Sequence, residues 1–183
     1  MKDISLSSHY LLITWIDYCK KNSILHSKSS AYFRRWNIFT SVPGIVLSTL
    51  SGITSITLSF QNVSMYFSIA AGIGALTSTI LFSINKLLKY PELQELHDVY
   101  GDNFEILHNE IQMQMSIQSQ EELIFRSRTE FLKYCKYKLD ILIDKAPIIP
   151  GIIEKRYEQE DAWRDNKRNK FSIDLEKSII DNV

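Results

Sequence analysis

Apolar and polar positions divide this chain into three stretches. From Trp36 to Asn85, 50 consecutive residues contain no Asp, Glu, Lys, Arg or His, and charges are frequent on both sides. Two apolar segments fit inside this window, residues 38–60 and 63–84, with 23 and 22 residues. As α-helices they measure about 33–35 Å at ~1.5 Å per residue, enough for a hydrocarbon core of about 30 Å. Gln61 and Asn62 alone separate them. The pattern predicts a tight transmembrane hairpin. A soluble core built from the same two helices would have to cover both on every side, which is uncommon at this length. A cleaved signal peptide is not expected, because the apolar run starts too far along the chain and is too long.

The flanks set an expected orientation. Arg34 and Arg35 precede the first span, Lys86 and Lys89 follow the second, and the turn carries no basic residue. The basic-residue rule then puts both termini in the cytoplasm. With Trp36 these four residues are the predicted interface anchors. Tyr32 and Phe33 lie near the inner boundary, and Phe60, Tyr66 and Phe67 near the outer one, as an aromatic belt would.

Outside the window the period is helical. Leu11, Trp15, Ile16 and Cys19 mark one face of a helix over about residues 5–30. Beyond Pro91, the series Leu93, Leu96, Tyr100, Phe104, Leu107, Ile111 and Met115 steps by 3, 4, 4, 3, 4 and 4, a continuous seam on a helix of about 91–118. Gly101 is expected to loosen it locally. A further helix is predicted over about 121–145, with Ile124, Phe131, Cys135 and Leu142 on one face, antiparallel to the one before it. These helices are expected to pack on the N-terminal one. Ala146-Pro147-Ile148-Ile149-Pro150 ends that helix. Residues 156–183 are read as a charged helix or tail, with the rest, 1–155, as one domain. The expected fold class is therefore all-α: a two-helix transmembrane hairpin with a cytoplasmic N-terminal helix and a cytoplasmic antiparallel bundle.

The spans are rich in hydroxyls. Residues 38–60 alone hold nine Ser or Thr. In lipid there is no hydrophobic drive between helices, so small residues that let backbones approach take over that role. Gly44, Ser48 and Gly52 recur every four residues, and Ser68, Gly72, Ala75 and Thr79 form a stripe on the second span. These are the predicted helix-packing or oligomer positions. Ser41, Ser48 and Ser55 repeat every seven residues and are candidates to line a water path between assembled copies. No charged ring is present, so such a path would be weakly selective. Pro43 removes a backbone donor opposite the Phe39 carbonyl, which Thr40 or a neighbouring helix is expected to compensate.

Charge and chemistry add little. Net charge is zero, but residues 1–35 carry six basic and two acidic groups. A basic segment beside a bilayer suits anionic headgroups or simply signals topology. Nothing suggests direct nucleic-acid binding. His9, His26, His97 and His108 are scattered. Glu105 and His108 form a single Glu-x-x-His where carboxylate-bridged metal bundles need two. Cys19 and Cys135 read as reduced packing residues. No phosphate loop, dinucleotide fingerprint or nucleophile elbow is present, so neither enzyme nor cofactor is expected.

Several stretches together resemble a known family. They are Tyr32-Phe33-Arg34-Arg35-Trp36, the Pro-Gly-bearing first span with Leu47-Ser48-Thr49-Leu50-Ser51-Gly52, the Gly-bearing second span, Lys89-Tyr90-Pro91, Glu92-Leu93-Gln94-Glu95-Leu96-His97, and Ala146 to Pro150. The layout is similar to the SLATT domains, two-transmembrane effector domains of bacterial conflict systems, over roughly residues 10–155. The resemblance implies a homo-oligomeric effector that perturbs or permeabilises the inner membrane. It also implies a separate activating protein from the same operon, a sensor, a reverse transcriptase or a nucleotide second-messenger synthetase. It supplies no catalytic residues. A non-conducting membrane anchor that holds a cytoplasmic partner is the alternative.

Overall fold

The computed structural model describes residues 2–58, 65–116 and 128–164; within them the side chains of 2–8, 55–58 and 128 are not described. The described chain is all-helical. Four helices follow in order, α1 (Lys2–Leu58), α2 (Met65–Leu88), α3 (Tyr90–Ser116) and α4 (Arg128–Lys145), and residues 151–164 form a further helical segment. The turn at Gln61 and Asn62, and Ile124, lie outside the described residues.

The expected N-terminal helix and first span are one element. α1 runs 57 residues without a break, about 85 Å at ~1.5 Å per residue. No Gly or Pro stands between residues 2 and 42, so nothing in the sequence stops the helix before the apolar stretch. Pro43 sits inside it. The Thr40 hydroxyl donates to the Trp36 carbonyl at 2.9 Å and also lies 3.1 Å from the Asn37 carbonyl, rather than reaching Phe39.

α1 therefore has a polar lower half and an apolar upper half. α3 packs on the lower half, antiparallel to it: His97 meets His26, and further down His108 meets the Ile16 carbonyl. α2 packs on the upper half. Between α2 and α3 stands one residue, Lys89, with φ 52°. A side-chain-bearing residue in the left-handed region breaks a helix after a single position. The Lys89 amide still bonds the Asn85 carbonyl, and the Lys89 carbonyl accepts from the Leu93 amide, both at 3.0 Å. The joint is thus a sharp hinge with no loop.

The lower half holds the core. Leu12 and Cys19 of α1, Phe104, Leu107 and Ile111 of α3, and Phe131, Cys135, Leu139 and Leu142 of α4 form one buried cluster. The predicted seams hold with two shifts. On α1 the buried residue is Leu12, and Leu11 is exposed. On α3 the upper seam moves by one, so that His97 and Gly101 are buried where Leu96 and Tyr100 were expected. The cause lies at Gly101. A Cβ there would stand 3.5 Å from His26 Cβ and from the Ser27 amide nitrogen, so the missing side chain lets α1 come close. Gly101 does not loosen α3; it is where the two helices approach.

Residues 151–164 begin on the Pro150 carbonyl, which accepts from the Ile153 and Glu154 amides at 2.8 and 3.3 Å. Ile153 and Tyr157 pack on Leu25. Lys28 pairs with Glu160, and the Lys21 and Lys28 ammonium groups stand 5.9 and 5.6 Å from the Tyr157 ring centre.

Candidate functional site

The apolar half of α1 together with α2 is the candidate site. Both helices are long and apolar enough to cross a membrane, and of their most apolar windows only 17% and 6% is buried. Core helices of a soluble protein would be mostly covered. Here Phe39, Ile45, Leu50 and Ile53 on α1, and Phe67, Ile73, Leu76 and Ile80 on α2, point away from the chain.

Several hydroxyls in this half are satisfied from within, while the buried Asn85 Oδ1 has no hydrogen-bond partner. Thr49, Thr54, Thr77, Thr79 and Ser83 each donate to the carbonyl four residues earlier, at 2.7 to 2.9 Å. Ser78 donates to the Ala75 carbonyl at 2.9 Å. Such back-bonding hides a hydroxyl proton in the helix's own turn. The many hydroxyls are thereby compatible with an apolar surrounding and do not by themselves require water.

Where α1 meets α2, three polar side chains form a clamp. Asn85 Nδ2 donates to Asn37 Oδ1 at 2.9 Å and to Ser41 Oγ at 2.7 Å, and Ser41 Oγ donates to Asn37 Oδ1 at 3.0 Å. Above the clamp the contact is made by small residues. A Cβ on Gly44 would lie 3.2 Å from the Phe82 ring, and one on Gly74 would lie 2.7 Å from Ser51 Oγ. Ser51 and Ser78 are buried here.

This contact uses a different stripe from the expected one. Of the predicted packing residues, Gly44 lies in it. Ser48, Gly52, Ser68, Gly72, Ala75 and Thr79 are exposed on the single chain, and a Cβ on Gly52 or Gly72 would meet nothing within 4 Å. Small residues occupy every face of α1, so spacing alone did not choose the face. The amides of Asn37 and Asn85 choose it, because they bond only in one rotation of the two helices. Ser41, a candidate path residue, belongs to the clamp. Ser48 is exposed, and the side chain of Ser55 is not described.

The clamp also fixes a level. Lys86 and Lys89 lie one and four residues past Asn85, and Arg35 and Arg34 two and three residues before Asn37. At ~1.5 Å per residue all four fall within about 6 Å of one plane along the helices. All four are exposed, and Lys89 pairs with Glu92 at 3.1 Å. Trp36 stacks on Tyr90 at 6.3 Å and meets Phe39 edge-on at 5.9 Å. Basic and aromatic groups thus ring the bottom of the apolar half.

Asn85→Leu removes both interhelical bonds of the clamp. The expected loss is about 1–3 kcal/mol of hairpin stability, given roughly 0.6–1.7 kcal/mol per such bond. Unfolding in mixed micelles of mild detergent and dodecyl sulfate measures it; an unchanged midpoint would show that the clamp does not hold the hairpin.

Below the ring, His26 and His97 face one another across α1 and α3. Their Nδ1 atoms are 2.8 Å apart. His97 stacks on Phe33 at 5.4 Å and His26 on Phe104 at 5.5 Å. Burial lowers the pKa of both, that of His97 to about 4. Two of the four histidines that are scattered along the sequence thus meet in the fold. The available signal was heptad spacing, since Leu12, Cys19, His26 and Phe33 recur every seven residues along α1.

Other chemistry is sparse. His108 Nδ1 lies 3.2 Å from the Ile16 carbonyl, as a donor to it, and among the described residues no three His, Cys, Asp or Glu side chains converge as a metal site needs. An open groove of about 480 Å³ beside it is lined by Lys20, Lys28 and Glu105, charges of both signs. Cys19 and Cys135 are buried in the core cluster, where loss of solvent pushes both thiols up to about 12. No protein-family model, curated protein or solved structure matches this chain.

Proposed function

We propose that this chain is a two-span membrane effector. α2 and the apolar half of α1 cross the inner membrane of a bacterial cell, and both termini and the polar half lie in the cytoplasm. The observation that carries this reading is the make-up of the hairpin: large apolar side chains face outward, several exposed hydroxyls donate to their own helix, and the Asn85 amide donates to Asn37 and Ser41 between the helices. That is the arrangement lipid demands and water does not. The level basic ring supports the orientation.

The effector role rests on the resemblance to SLATT domains. Copies associate through the faces left free by the hairpin contact, Ser48 and Gly52 on α1 and Ser68, Gly72, Ala75 and Thr79 on α2. Close backbone approach there brings the hydroxyl-bearing faces together, and the assembly permeabilises the membrane. A separate protein of the same operon, a sensor, reverse transcriptase or second-messenger synthetase, triggers it. The polar half restrains the hairpin until then.

A second reading has its own support. Because the Thr49, Thr54, Thr77, Ser78, Thr79 and Ser83 hydroxyl protons are bound within the helices and Ser41 is held in the clamp, the hairpin also suits a non-conducting anchor for a cytoplasmic partner. Membrane potential in cells separates the two. Expression with the triggering partner should depolarise the cell and stop growth. Ser48→Leu combined with Ser55→Leu should keep the protein in the membrane and spare the cell, since an apolar constriction dewets. Depolarisation by the double variant contradicts the hydroxyl-lined path. A wild type that never changes the potential when triggered leaves the anchor reading.

A further inference from the structure

In the polar half, one buried contact stands apart from the rest of the core. His26 and His97 are 1% and 0% exposed, the largest polar side chains so deeply covered. At 2.8 Å between Nδ1 atoms there is room for one proton between them. One ring donates and the other accepts, so the accepting ring is neutral, and burial disfavours a charge on the donor. The second nitrogen of His97, Nε2, is buried without a hydrogen-bond partner. With His97 donating through Nδ1, its charged form would turn Nε2 into an N–H donor with nothing to receive it, and an unmet buried donor is costly. Two charged rings would set two N–H groups against each other.

The surroundings do not compensate. Phe33, Tyr100 and Phe104 enclose the pair. Among the described residues, the charges that act on His97 are His26 on α1, which disfavours its protonation, and Asp98 on α3, which favours it less strongly. On α1 the nearby Lys28 is turned to Glu160 and Tyr157 of the 151–164 segment. Gly101, one turn below His97, lets the α1 backbone approach, with the Ser27 nitrogen and the Ser23 carbonyl 3.5 and 3.6 Å from where its Cβ would stand.

We infer that the His26–His97 pair is an acid-sensitive latch: protons entering it force α3 off α1, and α3 swings about the Lys89 hinge. α1 is unbroken from His26 to Asn37, so release also frees the lower support of the clamp. The direction follows from linkage. Both imidazoles are harder to protonate in the closed form than in the open one. Closure is fully supported above pH 6.5 and weakens as pH falls from there towards 4. For the His97 proton the closed-to-open ratio drops about tenfold per pH unit in that window, and His26 adds to the loss in the same direction.

The test is amide hydrogen exchange across residues 90–111 in detergent micelles, at pH 7.5 and 5.0, corrected for intrinsic exchange rates. The wild type should lose protection at the lower pH, and the variant combining His26→Phe with His97→Phe should not. Equal loss in both, or none in the wild type, overturns the latch. Should the double variant lack wild-type helicity by circular dichroism, imidazole nitrogen-15 shifts of the wild type decide. Protonation of the pair below pH 6 that coincides with opening supports the latch. Ordinary titration near 6.5, or protonation without opening, overturns it.

Discussion

Gly74→Leu should pull the hairpin apart. A Cβ at this position already lies 2.7 Å from Ser51 Oγ, and the Leu47 carbonyl is 3.9 Å away. Alanine is tolerated if the Ser51 hydroxyl turns aside. Leucine adds three more carbons into a contact closed on the other side by the α1 backbone. Overpacking of this kind costs about 1–3 kcal/mol, and in the proposed lipid setting no hydrophobic drive would hold the helix pair against it. Gly72→Leu is the matched control. Nothing lies within 4 Å of its Cβ, so the hairpin should keep its stability while copies lose their approach. Micelle unfolding should therefore register Gly74→Leu, and chemical crosslinking should register Gly72→Leu. Equal destabilisation by both would mean that α1 and α2 meet on a different face. Full crosslinked ladders from Gly72→Leu would remove that face from the oligomer.

Phe104→Ala should have the largest effect in the polar half. Its ring is 1% exposed, stacks on His26 at 5.5 Å and meets Tyr18 edge-on at 6.4 Å. Phe-to-Ala changes in such positions cost about 3–5 kcal/mol through lost burial and the cavity left behind. Tyr137→Ala, at a site 67% exposed on α4, should stay within about 0.5 kcal/mol of the wild type. Thermal unfolding followed by far-ultraviolet circular dichroism measures both. A Phe104→Ala protein as stable as the Tyr137→Ala one would mean that α1, α3 and α4 do not share this core.

The elements were legible where one force dominates. The charge-free window marks the apolar helices, and the 3–4 spacing from Phe104 to Ile111 marks the buried face of α3, because burial of apolar area is non-directional and leaves a periodic trace. Relations between helices were less legible. Continuity of α1 through Arg34, Arg35 and Trp36 breaks no propensity rule, yet the switch from polar to apolar sequence looks like a boundary. The face of the hairpin contact depends on two directional bonds, from Asn85 to Asn37 and to Ser41. In a span where every turn holds a small residue, only such bonds select one rotation. His26 and His97 lie 71 residues apart, and their meeting depends on the antiparallel register of α3 and the gap at Gly101.

Topology tests the central claim most directly, and the structure dictates the reporters. Native Cys19 and Cys135 are buried with thiols pushed to about 12, so their silence towards a thiol reagent says nothing about sidedness. Cysteines introduced at Asn62, between α1 and α2, and at exposed Tyr137 on α4 do report it. In intact cells treated with a membrane-impermeant maleimide, Asn62→Cys should label and Tyr137→Cys should not. Tyr137→Cys should label once the inner membrane is opened. Labelling of Tyr137→Cys in intact cells, or of Asn62→Cys only after opening, contradicts a membrane-crossing hairpin with its polar half inside.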